Sequence, residues 1–327
     1  GVVRHLSNGR HALGAVCGVS VEARSEEARE LWQREVEGVL HPRTSSRTHL
    51  PDQLWALYEA CGYFSLGDQS SGKFHALKPA FAAASKRLVS AQHLGCQVIC
   101  KSDERVEGSV TLLKAWQHAW ILYQVARQQQ ANPLAHSSNE LLGELFAHGF
   151  EHACGDPDQR RFIAYIRSDA RFSRMALLDF ARRHDDGVRG SVFPFRAMEA
   201  LCDEPREAPP VSAGVSLREA DEAEREAMLR AFARTHPGPY LEAYDLVPGR
   251  FGLERIGDDW REAGLQRERR LLVACREGRA VAGAVLELLE EGIYLVGLAD
   301  AVRLVELEPG GKACFGALLH EARDYYR

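Results

Sequence analysis

Residues 270–320 read RLLVACREGRAVAGAVLELLEEGIYLVGLADAVRLVELEPGGKACFGALLH. The apolar run Leu271-Leu272-Val273-Ala274-Cys275 predicts a strand, and Glu277-Gly278-Arg279 a tight turn after it. A second strand follows from Ala280 to Leu288, with Gly283 inside it. Beyond Glu290-Glu291-Gly292 a longer strand is expected to begin at Ile293. Pro309-Gly310-Gly311-Lys312 then breaks the pattern and leads into an apolar helix through Ala317-Leu318-Leu319. The order is strand, glycine turn, strand, strand, glycine-rich loop, helix.

The same order is legible a second time upstream. Residues Glu26 to Leu40 form an amphipathic helix with an acidic first turn, and Pro51 to Cys61 a second helix opened by proline. A polar loop at Gly67–Gly72 and a helix from about Phe74 to His93 come next. The period then becomes strand-like at Gln97–Cys100, Val106–Leu112 and Ala119–Val125. A helix over Asn139–His152, a strand at Phe162–Ile166 and a helix over about Arg171–Arg183 complete the repeat. The charged, proline-rich stretch from Asp203 to Pro210 reads as a linker, after which Val215–Asp221 restarts the pattern. At the opposite end, Val2–His5 and Ala15–Val19 flank Ser7-Asn8-Gly9-Arg10, and Asn-Gly between β-rich runs signals a hairpin.

This strand–loop–helix succession, with Val-Ser-Leu-Arg-Glu-Ala-Asp opening the second copy at Val215, resembles acyltransferases of the GNAT superfamily. The resemblance implies an α/β fold of two tandem GNAT-like domains, each a mixed central sheet flanked by helices, preceded by a short β-hairpin. The expected layout is a hairpin over 1–21, a first domain over 22–202, a linker over 203–214 and a second domain over 215–327. The hairpin weakly resembles the closing strands of a PilZ domain, without that family's residues for cyclic di-GMP. The strand pattern directly at Gly1 and the uncapped close at Tyr325-Tyr326-Arg327 suggest a segment of a larger protein, its second domain truncated at the C-terminus.

In that superfamily two adjacent strands splay apart to receive the pantetheine of an acyl thioester. A loop of the form Gln/Arg-x-x-Gly-x-Gly/Ala cradles the donor's pyrophosphate on helix N-terminal N–H groups. In the second domain the loop falls on Gly310 to Phe315, making Gly310, Gly311 and Lys312 its candidate contacts. Phe315 occupies a position that needs a small residue. The first domain has no glycine from Gln124 to Pro133. Relatives that accept acyl groups from acyl carrier protein, the autoinducer-synthase and N-acyl amino acid synthase types, also lack the loop, because their donor carries no nucleotide. Two readings of the first domain stay open: transfer of that kind, or a fold retained after its chemistry was lost.

The resemblance implies an acyl group moved from an acyl carrier protein or coenzyme A thioester to an amine, with no other cofactor. Positioning, proton removal and oxyanion stabilisation are then what the protein must supply. His118 and Tyr165 are the catalytic candidates, and Gln124 and Arg127 the contacts to the thioester carrier. By alternation His118 would share a strand face with Trp120 and Leu122. The alternative is a non-catalytic effector or scaffold in a cyclic di-GMP signalling protein. His148-x-x-Glu151-His152 matches a zinc-hydrolase pattern but lacks a further acidic ligand, so no metal is expected. Cys96 and Cys100 read as packed strand residues.

Composition narrows the partners. The chain has 327 residues, a formal charge of −5 and 27% charged residues, which argues against nucleic acid held by bulk electrostatics. No apolar run approaches the roughly 18 residues of a membrane span. Eight scattered cysteines, several within apolar patterns, suggest reduced thiols and a cytoplasmic location.

Overall fold

The computed structural model describes residues 2–7, 16–20, 25–65, 71–102, 105–128, 138–167, 173–195 and 214–327. The chain divides into two compact units, residues 1–45 and 46–327. In the first, β1 (Val2–Ser7) and β2 (Val16–Ser20) pair antiparallel, as the Asn-Gly signal predicts. Helix α1 (Glu26–Leu40) is capped by Ser25, whose hydroxyl accepts the Ala28 N–H at 3.1 Å. A two-residue strand, β3 (Thr44–Ser45), ends the unit.

The second unit holds both repeats. Helices α2 (Pro51–Ala60), α3 (Ser71–Ala76) and α4 (Lys78–Ser90) precede the strands β4 (Gly95–Ser102), β5 (Arg105–Trp116) and β6 (Ala119–Arg127). These strands form an antiparallel meander. Helix α5 (Ser138–Cys154) crosses over to β7 (Arg161–Ala164), which pairs parallel with β6 and makes this sheet mixed. A short helix, α6 (Asp179–Arg183), closes the repeat behind one π-helical turn.

In the second repeat, β8 (Val215–Glu219) leads to α7 (Glu222–Thr235) through a capping box in which Asp221 and Glu224 bond reciprocally. Helices α8 (Gly238–Ala243) and α9 (Glu254–Glu262) follow. Strands β9 (Arg267–Arg276), β10 (Arg279–Leu289) and β11 (Val302–Glu306) complete an antiparallel sheet of order β11-β10-β9-β8. Helix α10 (Phe315–Tyr325) packs on it through Leu318 and Ala322.

A shared core joins the repeats. Trp116 and Ile121 of the first sheet bury with Trp260, Leu271 and Val285 of the second half. The polar atoms at this junction are matched. Trp116 Nε1 donates to Glu287 Oε2 at 3.2 Å, Trp260 Nε1 to the Lys114 carbonyl at 3.0 Å and Arg267 Nε to the Ala115 carbonyl at 2.9 Å. On its other face the first sheet packs Val110, Leu112 and Trp120 against Leu141, Leu145 and Phe146 of α5.

Three details depart from the sequence expectation. The helix over Phe74–His93 is two helices, parted at Leu77, because Pro79 falls in the first turn of α4, where its missing N–H costs nothing. His118 is not on a strand face: it sits with Gln117 in the two-residue turn between β5 and β6. The strand expected from Ile293 begins at Val302, since Gly292 and Gly297 adopt positive φ and turn the backbone. Ile293, Tyr294 and Leu295 are nonetheless buried, against the first half rather than in a sheet. The Asn8-Gly9 turn, the start of the helix expected from about Arg171 and residues 203–213 of the 203–214 linker lie outside the described residues.

Candidate functional site

Strands β6 and β7 pair over only four positions, from Ala119 opposite Arg161 to Leu122 opposite Ala164. Beyond them β6 runs on through Tyr123–Arg127, with no strand on that side among the described residues. At this point β6 carries a bulge. Its register with β5 passes from Tyr123 opposite Thr111 to Ala126 opposite Ser109, and Gln124 takes φ +50°, a left-handed value rare outside glycine.

Several interactions hold that conformation. Gln124 Nε2 donates to the Ile293 carbonyl at 3.0 Å, and its Oε1 accepts the Tyr58 hydroxyl at 3.3 Å and the Thr111 hydroxyl at 3.4 Å. Gln124 is therefore a buried strut of the bulge. Three residues on, Arg127 Nη1 is buried without an acceptor among the described residues. Such a donor is costly to leave unmade and is available to an incoming anion or carbonyl.

Across the parting of the strands stands Tyr165, one residue past β7. Its hydroxyl accepts from Tyr244 at 3.0 Å, and its own proton has no acceptor among the described residues. Tyr294 spans the same point, its ring 4.8 Å from Tyr123 and 6.5 Å from Tyr165. Burial pushes the hydroxyls of Tyr165 and Tyr244 up, so both keep their protons at neutral pH.

Behind the tyrosines lies a buried ionic cluster. Arg269 and Glu287 face each other across β9 and β10, and Arg303 of β11 approaches diagonally. Glu287 accepts from Arg267 at 2.6 Å, Arg269 at 2.5 Å and Arg303 at 3.0 Å. Burial alone would raise the Glu287 carboxyl, but Arg269, Arg303 and Arg267 outweigh it and hold the group at about 2. Arg269 also donates to the carbonyls of Tyr244, Asp245 and Phe251, which disperses its charge.

His118 belongs elsewhere. It lines a cleft of about 480 Å³ with Arg160, Arg161, Glu242 and Arg250, and its Nδ1 donates to the Asp158 carbonyl at 2.7 Å. In the β6–β7 register it lies one position before Ala119/Arg161, whereas Tyr165 follows Ala164. At about 3.3 Å per residue the two catalytic candidates are well over 10 Å apart along the sheet. They do not form one site.

The glycine-rich turn of the second half is already engaged. Gly310 supplies φ +82°, and a Cβ on Gly311 would fall 1.9 Å from the Val281 carbonyl oxygen, so that glycine permits close approach to β10. The Gly311 N–H donates to the Glu308 carbonyl at 3.0 Å and the Lys312 N–H to the Glu306 carboxylate at 3.4 Å. An anion there would meet occupied donors and an acidic neighbour.

Among the described residues no group of three or more His, Cys, Asp or Glu converges to hold a metal. His148 is buried in α5, and His152 Nε2 lies 2.8 Å from the Gln92 carbonyl. Cys96 and Cys100 are buried in β4 beneath α5.

No protein-family model matches this chain, and no curated protein sequence matches it. Solved structures do. A tandem GNAT protein from the clavulanic acid biosynthesis pathway is similar over 84% of this chain and 81% of its own, at 14% identity and TM-score 0.37. An acetyltransferase from Streptococcus agalactiae 2603 covers 42% of this chain, with 80% of its own length matched, at 16% identity and TM-score 0.33. A possible acetyltransferase from Clostridium difficile 630 covers 49%, with 99% of its own length matched, at 9% identity and TM-score 0.31. Likeness of this size carries no argument about chemistry, which has to come from the residues themselves.

The sequence reading missed Glu287, Arg303, Tyr244 and Tyr294. A signal for Glu287 and its partners Arg267 and Arg269 was present: a glutamate between leucines in an apolar strand, and Arg267-x-Arg269 spaced to share one face of the strand beside it. Tyr244 and Tyr294 lie in turns, where no period marks a side chain as inward.

Proposed function

We propose that the chain is a tandem GNAT-like protein of the N-acyltransferase kind, with its reaction centre where β6 and β7 part. One observation carries this reading: a parallel strand pair that ends at a bulge held in left-handed backbone, with free donors on either side of the opening. The donor is an acyl thioester of acyl carrier protein or coenzyme A, and the acceptor an amine. Arg127, with its spare buried N–H, contacts the pantetheine carrier. The amine nitrogen attacks the thioester carbonyl, the C–S bond breaks, and the proton lost by nitrogen leaves with the thiol. Tyr165, kept protonated by burial, donates to the developing oxyanion. Gln124 positions the bulge, and no metal takes part. No described helix is long and apolar enough to cross a membrane.

A second reading, a non-catalytic GNAT-fold effector or scaffold of a cyclic di-GMP signalling protein, is favoured by one feature. Tyr294 lies across one face of the strand opening. The test is to incubate the protein with acyl-coenzyme A and acyl carrier protein thioesters and a panel of amines, following thiol release and product mass. Turnover that falls about a hundredfold in Tyr165→Phe supports transfer. No thiol release and no thioester binding across the panel would leave the scaffold reading.

A further inference from the structure

The ionic cluster behind the tyrosines sets three guanidiniums against one carboxylate. Arg267 and Arg269 meet this excess with carbonyl oxygens: Ala115, Glu268 and Leu288 for the first, Tyr244, Asp245 and Phe251 for the second. Arg303 does not. Its Nη1 shares a Glu287 oxygen already taken by Arg269, its Nε reaches only the Tyr240 hydroxyl at 3.3 Å, and Nη2 has no acceptor among the described residues. The guanidinium lies over the Tyr244 ring at 4.4 Å and keeps 12% of its side chain exposed, so it is reachable. A largely buried cation with one unmatched nitrogen, Nη2, favours a second carboxylate.

The surroundings specify more. Tyr244 donates to Tyr165, so the Tyr165 proton is the second free donor beside Arg303. Two phenylalanines flank this pair from one extended segment. Phe193 lies 5.5 Å from Tyr240 and stacks on His236, and Phe195 packs edge-on against Tyr165 at 5.5 Å. Both rings are about half exposed. Exposed aromatic rings beside an unsaturated guanidinium and a free hydroxyl suit a flat apolar body that carries a negative end.

We infer that Arg303 and Tyr165, walled by Phe193 and Phe195, form a binding site for a small aromatic carboxylate. The carboxylate takes one oxygen on Arg303 Nη2 and the other on the Tyr165 hydroxyl, and the ring lies between the phenylalanines. His236, lowered by burial and by Arg303, stays neutral near pH 7 and does not compete as a second cation.

Titration of the full chain with benzoate and with its neutral isostere benzamide, read by ligand-observed NMR, tests this directly. Benzoate is expected to bind saturably and benzamide at least about tenfold more weakly. Tyr165→Phe, which keeps the ring, should weaken benzoate about tenfold. Arg303→Lys, which keeps the charge but loses the fork, should do the same. Phe193→Ser, at the rim, should weaken benzoate more than acetate. Equal binding of benzoate and benzamide, no saturable binding, or benzoate affinity unchanged in both Tyr165→Phe and Arg303→Lys overturns the inference. The readout is binding alone, so it succeeds or fails independently of thioester turnover.

Discussion

The two repeats solve the burial of charge in opposite ways. In the first, Lys114 and Asp156 pair one to one at 2.7 Å, with the Trp120 indole donating to the same carboxylate at 2.9 Å. In the second, Glu287 alone serves three arginines, two of them with fully buried side chains. A one-to-one pair near the end of a central strand satisfies itself. A three-to-one cluster depends on carbonyl oxygens, a tyrosine ring and a single carboxylate. The contrast extends to the glycines. The second half has a glycine turn whose Gly311 and Lys312 N–H groups are taken by the Glu308 carbonyl and the Glu306 carboxylate, while the first has no glycine from Gln124 to Pro133 and carries donors without acceptors among the described residues on Arg127 and Tyr165. Motif residues and available donors lie in different halves.

The largest effect should come from removing the one anion of the cluster. Glu287→Gln leaves three guanidiniums without a counter-charge and is expected to cost about 3–5 kcal/mol of unfolding free energy by denaturant titration. The same variant should alter the acid limb of stability. The folded carboxyl is held at about 2 against an ordinary 4.5. Its contribution is therefore present above pH 4.5 and lost as pH falls from there toward 2. That loss should be missing in Glu287→Gln. If both variant and parent lose stability equally over this window, the three-to-one cluster is not what the acid limb reports.

Asp156→Asn in the first half should cost less, about 2 kcal/mol in the same titration, because one cation rather than three loses its counter-charge and the amide oxygen can still accept from Lys114 and the Trp120 indole. A cost equal to that of Glu287→Gln would erase the contrast between the repeats. Smaller again, Arg127→Ala should leave stability within about 0.5 kcal/mol yet weaken thioester binding about tenfold by fluorescence competition. Least of all, Lys312→Ala should change that binding by less than about twofold, since its own N–H is already on the Glu306 carboxylate. A large loss at Lys312 with none at Arg127 would move the donor site to the second half.

How much of this could be read from the sequence depended on periodicity. Helix α1 was bounded correctly at Glu26 and Leu40, and the paired strands β9 and β10 follow the apolar runs around Gly278. Period 2 and period 3.6 carry that information in the sequence itself. The segment after Gly292 breaks the strand period because its apolar residues answer to the first repeat, not to a neighbouring strand. His118 was misplaced for a related reason: a two-residue turn without glycine leaves no mark in the pattern. The candidate centre was half legible. Tyr165 and Arg127 were singled out, but their partners Tyr244, Tyr294 and Arg303 come from the second half, and no local pattern links residues so far apart.

The indole and guanidinium bonds that cross between the repeats have a further consequence. Trp116 closes on Glu287, Trp260 on the Lys114 carbonyl and Arg267 on the Ala115 carbonyl, so each half carries groups whose partners lie in the other. Produced as two separate polypeptides divided between the repeats, neither piece would hold a finished interior. Each would be a template for the other, and they would be expected to reassemble by fragment complementation rather than persist as autonomous modules.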